Sequence, residues 1–432
     1  MVRATVPGPT GHPVLGMAQA FRRDMLGTML DGFGRYGDVV AYRFGPRWGP
    51  LTQRVVMAHH PDSVHEVFTT PRVYSRRTTA FRVLTELIGT GLLTSDGDVW
   101  LRQRRTLQPM FTPRRVAGYA ELMSQEAARI AETSPVADGA TVDLHELMQR
   151  YALRVVSRAL FGQDVDEAVP RLQRLMPVLS DLALARALQI VRAPLALPTP
   201  RGRRITRERA AQYTIVDQII SRHGERGAGD DMLSRLHAAR DPETGQPLST
   251  EEIRDQALVF LLAGHETTAG ALTFTLQELG RHPEAQERVA EGDAELARAA
   301  LLEGMRLYPP VYTTERLADV DATIGGFHVP AGTRVMLSAY VTHRHPEFWP
   351  EPERFDPGRF TGGHERPRYA YFPFGGGPRS CIGEHFAMLE GTILLRTLLS
   401  RYRVEALDER VRLAPMVTLR PAGEVRAALR TR

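Results

Sequence analysis

The sequence predicts a mainly α fold with small β-sheets, an α+β chain whose core is built by helices. Three observations carry this. From Pro113 to about His237 the text is mostly amphipathic helix. From Ser249 to about Arg281 it is apolar on most sides and opens with a helix-start signature. Alternating stretches are short, confined to a hairpin near the N-terminus and a strand pair further on.

Composition narrows the class. With 43% hydrophobic and 24% charged residues, the chain has ample material for a core. A single cysteine, Cys381, rules out an internal disulfide and fits a reducing compartment. All 55 basic residues are arginine, and the net charge of +5 permits an acidic partner or substrate. The arginines are scattered with few aromatics among them, which argues against nucleic-acid binding. The first thirty residues hold no apolar run suited to a membrane span or signal peptide, and Arg186 and Arg192 interrupt Leu182 to Leu197. A soluble, cytoplasmic protein without a membrane anchor is expected. No repeat, low-complexity stretch or charged linker divides the chain. Residues 1–432 are therefore expected to form one domain, with a β-containing N-terminal part of about 1–70 and a helical remainder.

In chain order, residues 17–36 place Phe21, Met25, Met29 and Phe33 at a spacing of four and read as one helix. Asp38 to Phe44 alternates as a strand, Gly45-Pro46 begins a turn, and Gln53 to Ala58 is the returning strand. Pro61 opens a helix to about Thr69. Residues 72–96 show no clear period; Phe81, Leu84, Leu87 and Ile88 either close the core or face a ligand. Trp100 and Arg104 are four apart, hence on one helix face, with Arg102 and Arg105 beside them. Breaks at Gly139, at Asp164, at Pro194, Pro198 and Pro200, and at Gly227-Ala228-Gly229 punctuate the helical stretch from Pro113.

Ser249-Thr250-Glu251-Glu252 is a capping box, and Pro283 ends the helix it starts. About thirty residues extend about 45 Å, enough to cross a domain. Ala263-Gly264-His265-Glu266-Thr267-Thr268 breaks the apolar run. Small residues leave room beside a ligand, and a buried acid with two hydroxyls needs a reason. Either a threonine bonds the carbonyl four residues back and kinks a water-filled helix, or the acid and the alcohol move protons. Next, Leu302-Glu303-Gly304-Met305-Arg306 sits in a helix stopping at Pro309-Pro310, with Glu303 and Arg306 on one face. A strand pair then turns at Gly325-Gly326 and at Pro330-Ala331-Gly332.

The loop Phe372-Pro373-Phe374-Gly375-Gly376-Gly377-Pro378-Arg379-Ser380-Cys381-Ile382-Gly383-Glu384 comes last. Its three glycines let the backbone turn tightly and approach a flat partner. Helical text begins at Glu384, so Cys381 stands just before a helix N-terminus, where free amides favour a thiolate. Alone, such a cysteine is either a buried free thiol or an axial ligand for haem iron.

The pattern Phe374-x-x-Gly377-x-Arg379-x-Cys381-x-Gly383 resembles the haem-binding loop of the cytochrome P450 family, haem-thiolate monooxygenases, at every signature position. Trp100-x-x-x-Arg104, the acid–threonine helix, Glu303-x-x-Arg306 and the cysteine loop occur in the family's order, so the resemblance covers nearly the whole chain. It implies a cytochrome P450-like fold with a long central helix over haem b. It implies Cys381 as the iron ligand, Phe374 beside the sulfur, and Gly375, Gly383 and Ala263 against the cofactor. Arg379, Arg316, Trp100 and Arg104 match propionate-binding positions. Thr267 matches the residue that hydrogen-bonds the co-substrate O2 and holds a water, and Glu266 matches the proton relay. Arg354, in Pro352-Glu353-Arg354-Phe355, is expected to fold onto Glu303 and Arg306 in a buried structural triad. Phe81, Leu84, Leu87, Phe260, Val311, Tyr312, Met416 and Val417 are the expected substrate contacts.

The implied activity is insertion of one oxygen atom from O2 into a lipophilic small molecule, such as hydroxylation of a terpenoid or polyketide secondary metabolite. The enzyme is expected to be a monomer fed by ferredoxin and ferredoxin reductase, because the chain has no flavin or iron–sulfur motif of its own. Arg102 and Arg105 are expected to face the proximal surface and meet an acidic ferredoxin. A peroxide-dependent or rearranging enzyme and a non-catalytic haem carrier or sensor are the alternatives, and the Glu266-Thr267 pair argues against both.

Overall fold

A computed structural model describes residues 5–133, 139–162, 178, 181–182, 186, 199–226, 229, 231–292, 294–362 and 365–432. The chain divides into two compact units. One combines Met1–Phe81, Arg306–Phe355 and Gly363–Cys381; the other combines Arg82–Met305, Asp356–Gly362 and Ile382–Arg432. Helices with small sheets make up both, as the sequence predicts.

The first unit holds a five-stranded sheet. Val39–Phe44 and Gln53–Ala58 form the expected hairpin, and Pro61–Thr69 follows as a helix with proline at its first position. Gln53–Ala58 then runs parallel to Arg334–Leu337, which pairs antiparallel with Thr314–Ala318, and that strand with Tyr74–Ser75. Val39, Val56, Phe68, Val335, Leu337 and Phe372 pack together on one side. Residues 17–36 form two helices rather than one, Ala18–Arg23 and Met25–Tyr36. The break is Asp24, whose carboxylate accepts from the Gly27 amide at 2.9 Å and caps the second helix. Ala322–Ile324 and Phe327–Val329 turn on Gly325 and Gly326 at φ 56° and 82°, the two left-handed residues that a tight hairpin turn requires.

The second unit is organised around Thr250–Arg281. Its capping box closes in both directions: Ser249 Oγ accepts from the Glu252 amide at 3.2 Å, and the Glu252 carboxylate accepts from the Ser249 amide at 2.9 Å. This helix has the length and apolarity to cross a membrane, but 78% of its most apolar window is buried inside the protein. Leu144–Phe161 packs along it, and a side chain at Gly264 would put its Cβ 3.0 Å from Val156. Ala120–Thr133 packs on Glu384–Arg401.

Two small sheets complete this unit. Ala140–Asp143, Arg426–Thr431 and Tyr402–Ala406 form one; Leu413–Pro415 and Leu419–Pro421 form the other. The stretch from Pro113 is therefore not all helix, because Gly139, at φ 81°, turns the chain into a strand. Residues 72–96 contain the helix Thr79–Ile88. The expected breaks at Asp164, Pro194, Pro198 and Gly227-Ala228 lie outside the described residues.

Candidate active site

The cysteine loop is built within the first unit. Gly375 and Gly377 take φ of 70° and 65°, and a Cβ at Gly377 would fall 2.1 Å from the Phe68 carbonyl oxygen, so no larger residue fits there. The Cys381 amide donates to the Phe374 carbonyl at 2.9 Å and closes the loop, leaving the thiol exposed. Gly375 is open on its Cβ side. In the same unit Arg316 is buried, with its guanidinium over the Phe68 ring at 5.4 Å and bonds to the Thr314 hydroxyl and the Glu315 carbonyl. Phe374 and Arg379 are half-buried. Gly383 is the N-cap of Glu384–Arg401, which starts three residues after Cys381.

In the second unit the central helix opens at its middle. Ala263 is exposed and Leu262, Gly264 and Thr267 are half-buried, whereas His265, Glu266 and Thr268 are buried. Thr267 Oγ1 donates to the Ala263 carbonyl at 2.6 Å, four residues back. The Glu266 carboxylate lies 3.9 Å from the guanidinium of Arg420, a residue that no motif singled out. Arg420 sits 154 positions along the chain from Glu266 (420 − 266), on Leu419–Pro421, and only the period-two alternation with buried Leu419 hints at its direction. His265 has no hydrogen-bond partner for either ring nitrogen among the described residues, and burial, then His145, pushes it down to about 4. His145 is likewise held at about 4, by burial first, with Asp143 opposing and Arg420 adding to the shift. Both imidazoles are neutral at pH 7. Trp100 and Arg104, half-buried, share the helix Gly97–Leu107.

Glu303 and Arg306 lie on Ala294–Leu307, and both are fully buried. Arg306 donates to the carbonyls of His343 at 3.1 Å, Pro352 at 2.6 Å and Arg354 at 3.0 Å, and stacks 5.1 Å from the Trp349 ring. Glu303 accepts from the Asp356 amide at 2.9 Å and faces the Arg359 guanidinium at 3.4 Å.

The cytochrome P450 family model matches residues 6–423. The chain belongs to the cytochrome P450 family. It is 36% identical to cyclooctat-9-en-7-ol 5-monooxygenase of Streptomyces melanosporofaciens, covering 93% of this chain and 89% of that one. It is 31% identical to pentalenene oxygenase of Streptomyces avermitilis, covering 93% and 91%. Among solved structures, a 6-coordinated cytochrome P450 from Thermus thermophilus superposes with a TM-score of 0.76 at 32% identity, covering 94% of this chain and 98% of that chain. The haem domain of cytochrome P450DA gives 0.84 at 27% identity, covering 100% and 99%. The protein is a cytochrome P450 monooxygenase with haem b as cofactor and O2 as co-substrate.

The P450 donor set fits that cofactor. An exposed thiol on a tightly turned loop suits the iron, and guanidinium groups in the same unit suit the anionic propionates. Two sequence expectations change. Arg354 does not fold inward; its side chain is 61% exposed and pairs with Glu351 at 3.0 Å. Arg359 takes that place, because the Asp356 carboxylate bonds the Gly358 amide and winds Pro357–Phe360 into a turn that carries Arg359 inward. Arg102 and Arg105 do not form an exposed basic patch. Arg102 pairs with Glu252, and Arg105 pairs with Asp241 at 3.4 Å and with Glu243, so their charge is met inside the unit. Among the expected substrate contacts, Leu87, Phe260 and Tyr312 are core residues: Phe260 packs edge-on against Phe111 at 5.2 Å, and the Tyr312 hydroxyl points to the Met25 sulfur. Val311 and Val417 are exposed, and Phe81, Leu84 and Met416 half-buried.

Proposed function

We propose that this P450 hydroxylates a terpenoid, with Cys381 as the iron ligand. The exposed thiol of the only cysteine, on a loop with two left-handed glycines, carries the ligand assignment. Two relatives named for terpenoid oxidation, each aligned over 93% of this chain, support the substrate class. Haem b, when bound, supplies the activation of O2. The chain's own residues do the rest. Arg316, Arg379, Trp100 and Arg104 bind the propionates, Phe374, Gly375, Gly383 and Ala263 pack on the cofactor, and Phe81, Leu84, Met416, Val311 and Val417 contact the lipophile. Glu266 takes protons from water and Thr267 passes them on, a task suited to a positioned acid and alcohol. Electrons come from a ferredoxin and its reductase, since one cysteine cannot hold an iron–sulfur cluster. We read residues 1–432 as one cytoplasmic, monomeric haem domain, with the family match running through both units.

The test is spectroscopic. Reduced protein with carbon monoxide is expected to show the strongly red-shifted band of thiolate ligation, and Cys381→Ser to lose it. A normal band in Cys381→Ser excludes this ligand. Titration with polycyclic terpenes, read as a haem spin-state change, tests the substrate class; a response to polyketides alone overturns it.

A further inference from the structure

Arg420 joins two carboxylates of unlike exposure. One guanidinium nitrogen lies 2.6 Å from Asp181 Oδ1 and another 3.9 Å from Glu266 Oε1. The Asp181 side chain is 56% exposed, Arg420 18% and Glu266 9%. The short bond to Asp181 is a charge-assisted hydrogen bond that anchors the arginine. The longer contact to Glu266 is a charge–charge attraction, strengthened because Glu266 is out of water. Among the described residues, His265, next along the helix, and His145 and Asp143, near the start of Leu144–Phe161, are further titratable groups here. Both histidines are neutral at pH 7, so Arg420 brings a permanent positive charge to the acid.

We propose that Arg420 is a positioning residue for Glu266: anchored on Asp181, it keeps the Glu266 carboxylate ionised and turned toward the exposed end of the chain of charges, where it takes its proton from water. This rests on the reading of Glu266 as the relay acid. A buried carboxylate that loses a neighbouring cation binds its proton more tightly, and a weaker acid hands that proton on more slowly. Uncoupling would follow: O2 that takes up two electrons and two protons without reacting with substrate is released as hydrogen peroxide.

Two measurements on the ferric and turning-over holoenzyme test this. In infrared difference spectra at pH 7, Arg420→Met is expected to gain a protonated-carboxyl band relative to wild type, and Arg420→Met/Glu266→Gln to lack it. In ferredoxin-supported NADPH oxidation with cyclooctat-9-en-7-ol as probe, Arg420→Met should lower kcat for product by roughly tenfold with KM nearly unchanged, the pattern of an interaction used in the reacting complex. Arg420→Lys, which keeps the charge, should recover most of that loss, which a purely structural role does not explain. No new carboxyl band, or a band that survives Glu266→Gln, overturns the proposal. Should Arg420→Met lose the carbon monoxide band and so its fold, Asp181→Asn carries the same test: more peroxide per NADPH supports the anchor and an unchanged ratio overturns it. Glu266→Gln alone separates the two readings. If it leaves peroxide release unchanged, the relay assignment fails; if it raises release while Arg420→Met does not, only the Arg420 proposal fails.

Discussion

The Thr267 hydroxyl has one proton to give, and it goes to the Ala263 carbonyl. The oxygen therefore presents lone pairs outward and acts first as an acceptor, for a water or a protonated neighbour. Thr267→Ala removes that acceptor without touching a ligand. It is expected to bind haem and substrate normally, but to release most reducing equivalents as peroxide, whereas Thr267→Ser should stay coupled; peroxide assays at equal NADPH consumption check this, and an unchanged ratio in Thr267→Ala removes the role. The arginines after Pro352 give a second contrast. Arg359→Ala takes a guanidinium away from the fully buried Glu303 carboxylate and should cost about 3 kcal/mol in urea unfolding. Arg354→Ala breaks only an exposed pair and should cost less than about 1 kcal/mol. Equal losses would show that Arg354 carries the load after all. The sequence could not choose between them, because Arg354 and Arg359 stand in adjacent turns and the choice is made by the Asp356 bonds. The tight turn of the cysteine loop was legible, because its glycines have one conformational use. Arg420 was not, since no local pattern ties a strand arginine to a helix acid far away in sequence.

Among elements, Thr250–Arg281 was the most legible, because its start signal is local: serine, then glutamate three residues on. Glu252 now does two things, closing the capping box and pairing with Arg102. Ser249→Ala should therefore lose about 1 kcal/mol, as a lost cap does, measured as a lower urea midpoint at unchanged slope. A larger loss would mean that the Glu252–Arg102 pair depends on the cap. Thr79–Ile88 was hidden despite its apolar pairs at i and i+4, Val83 with Leu87 and Leu84 with Ile88, because its first turn is bonded from far away in sequence: the Ala80 amide donates to the Glu315 carboxylate at 3.3 Å. The sheet joining Ala140–Asp143 to Arg426–Thr431 was out of reach for another reason. Strands of four and six residues carry little periodicity, and the two partners lie 283 positions apart in sequence (426 − 143).

For the whole molecule, buried histidines set the acid limit. His59 and His265 are almost completely enclosed, and burial holds each at about 4. In the unfolded chain each takes up a proton near pH 6.5. Between these values the unfolded state binds more protons, so their contribution is full above about pH 6.5 and fades as pH falls to about 4. It amounts to about 3 kcal/mol per histidine. Glu390, which burial pushes well above the ordinary carboxyl range, tilts stability the opposite way. Urea midpoints should fall between pH 7 and pH 5, and more shallowly in His265→Gln; identical slopes would mean that His265 is not the titrating group.

The backbone passes between the two units five times, at 81–82, 305–306, 355–356, 362–363 and 381–382. Neither unit is one continuous stretch, so no single chain break yields a fragment holding all of either. This limits what recombination can do with the gene. A chimaera made at an arbitrary crossover joins half of one contact set to half of another's, and most such hybrids lose both. Exchanges bounded by two of these joints, such as residues 82–305, keep the largest block of contacts intact. New substrate ranges in this lineage should be inherited as such blocks, with the cysteine loop and its sheet passed on unbroken.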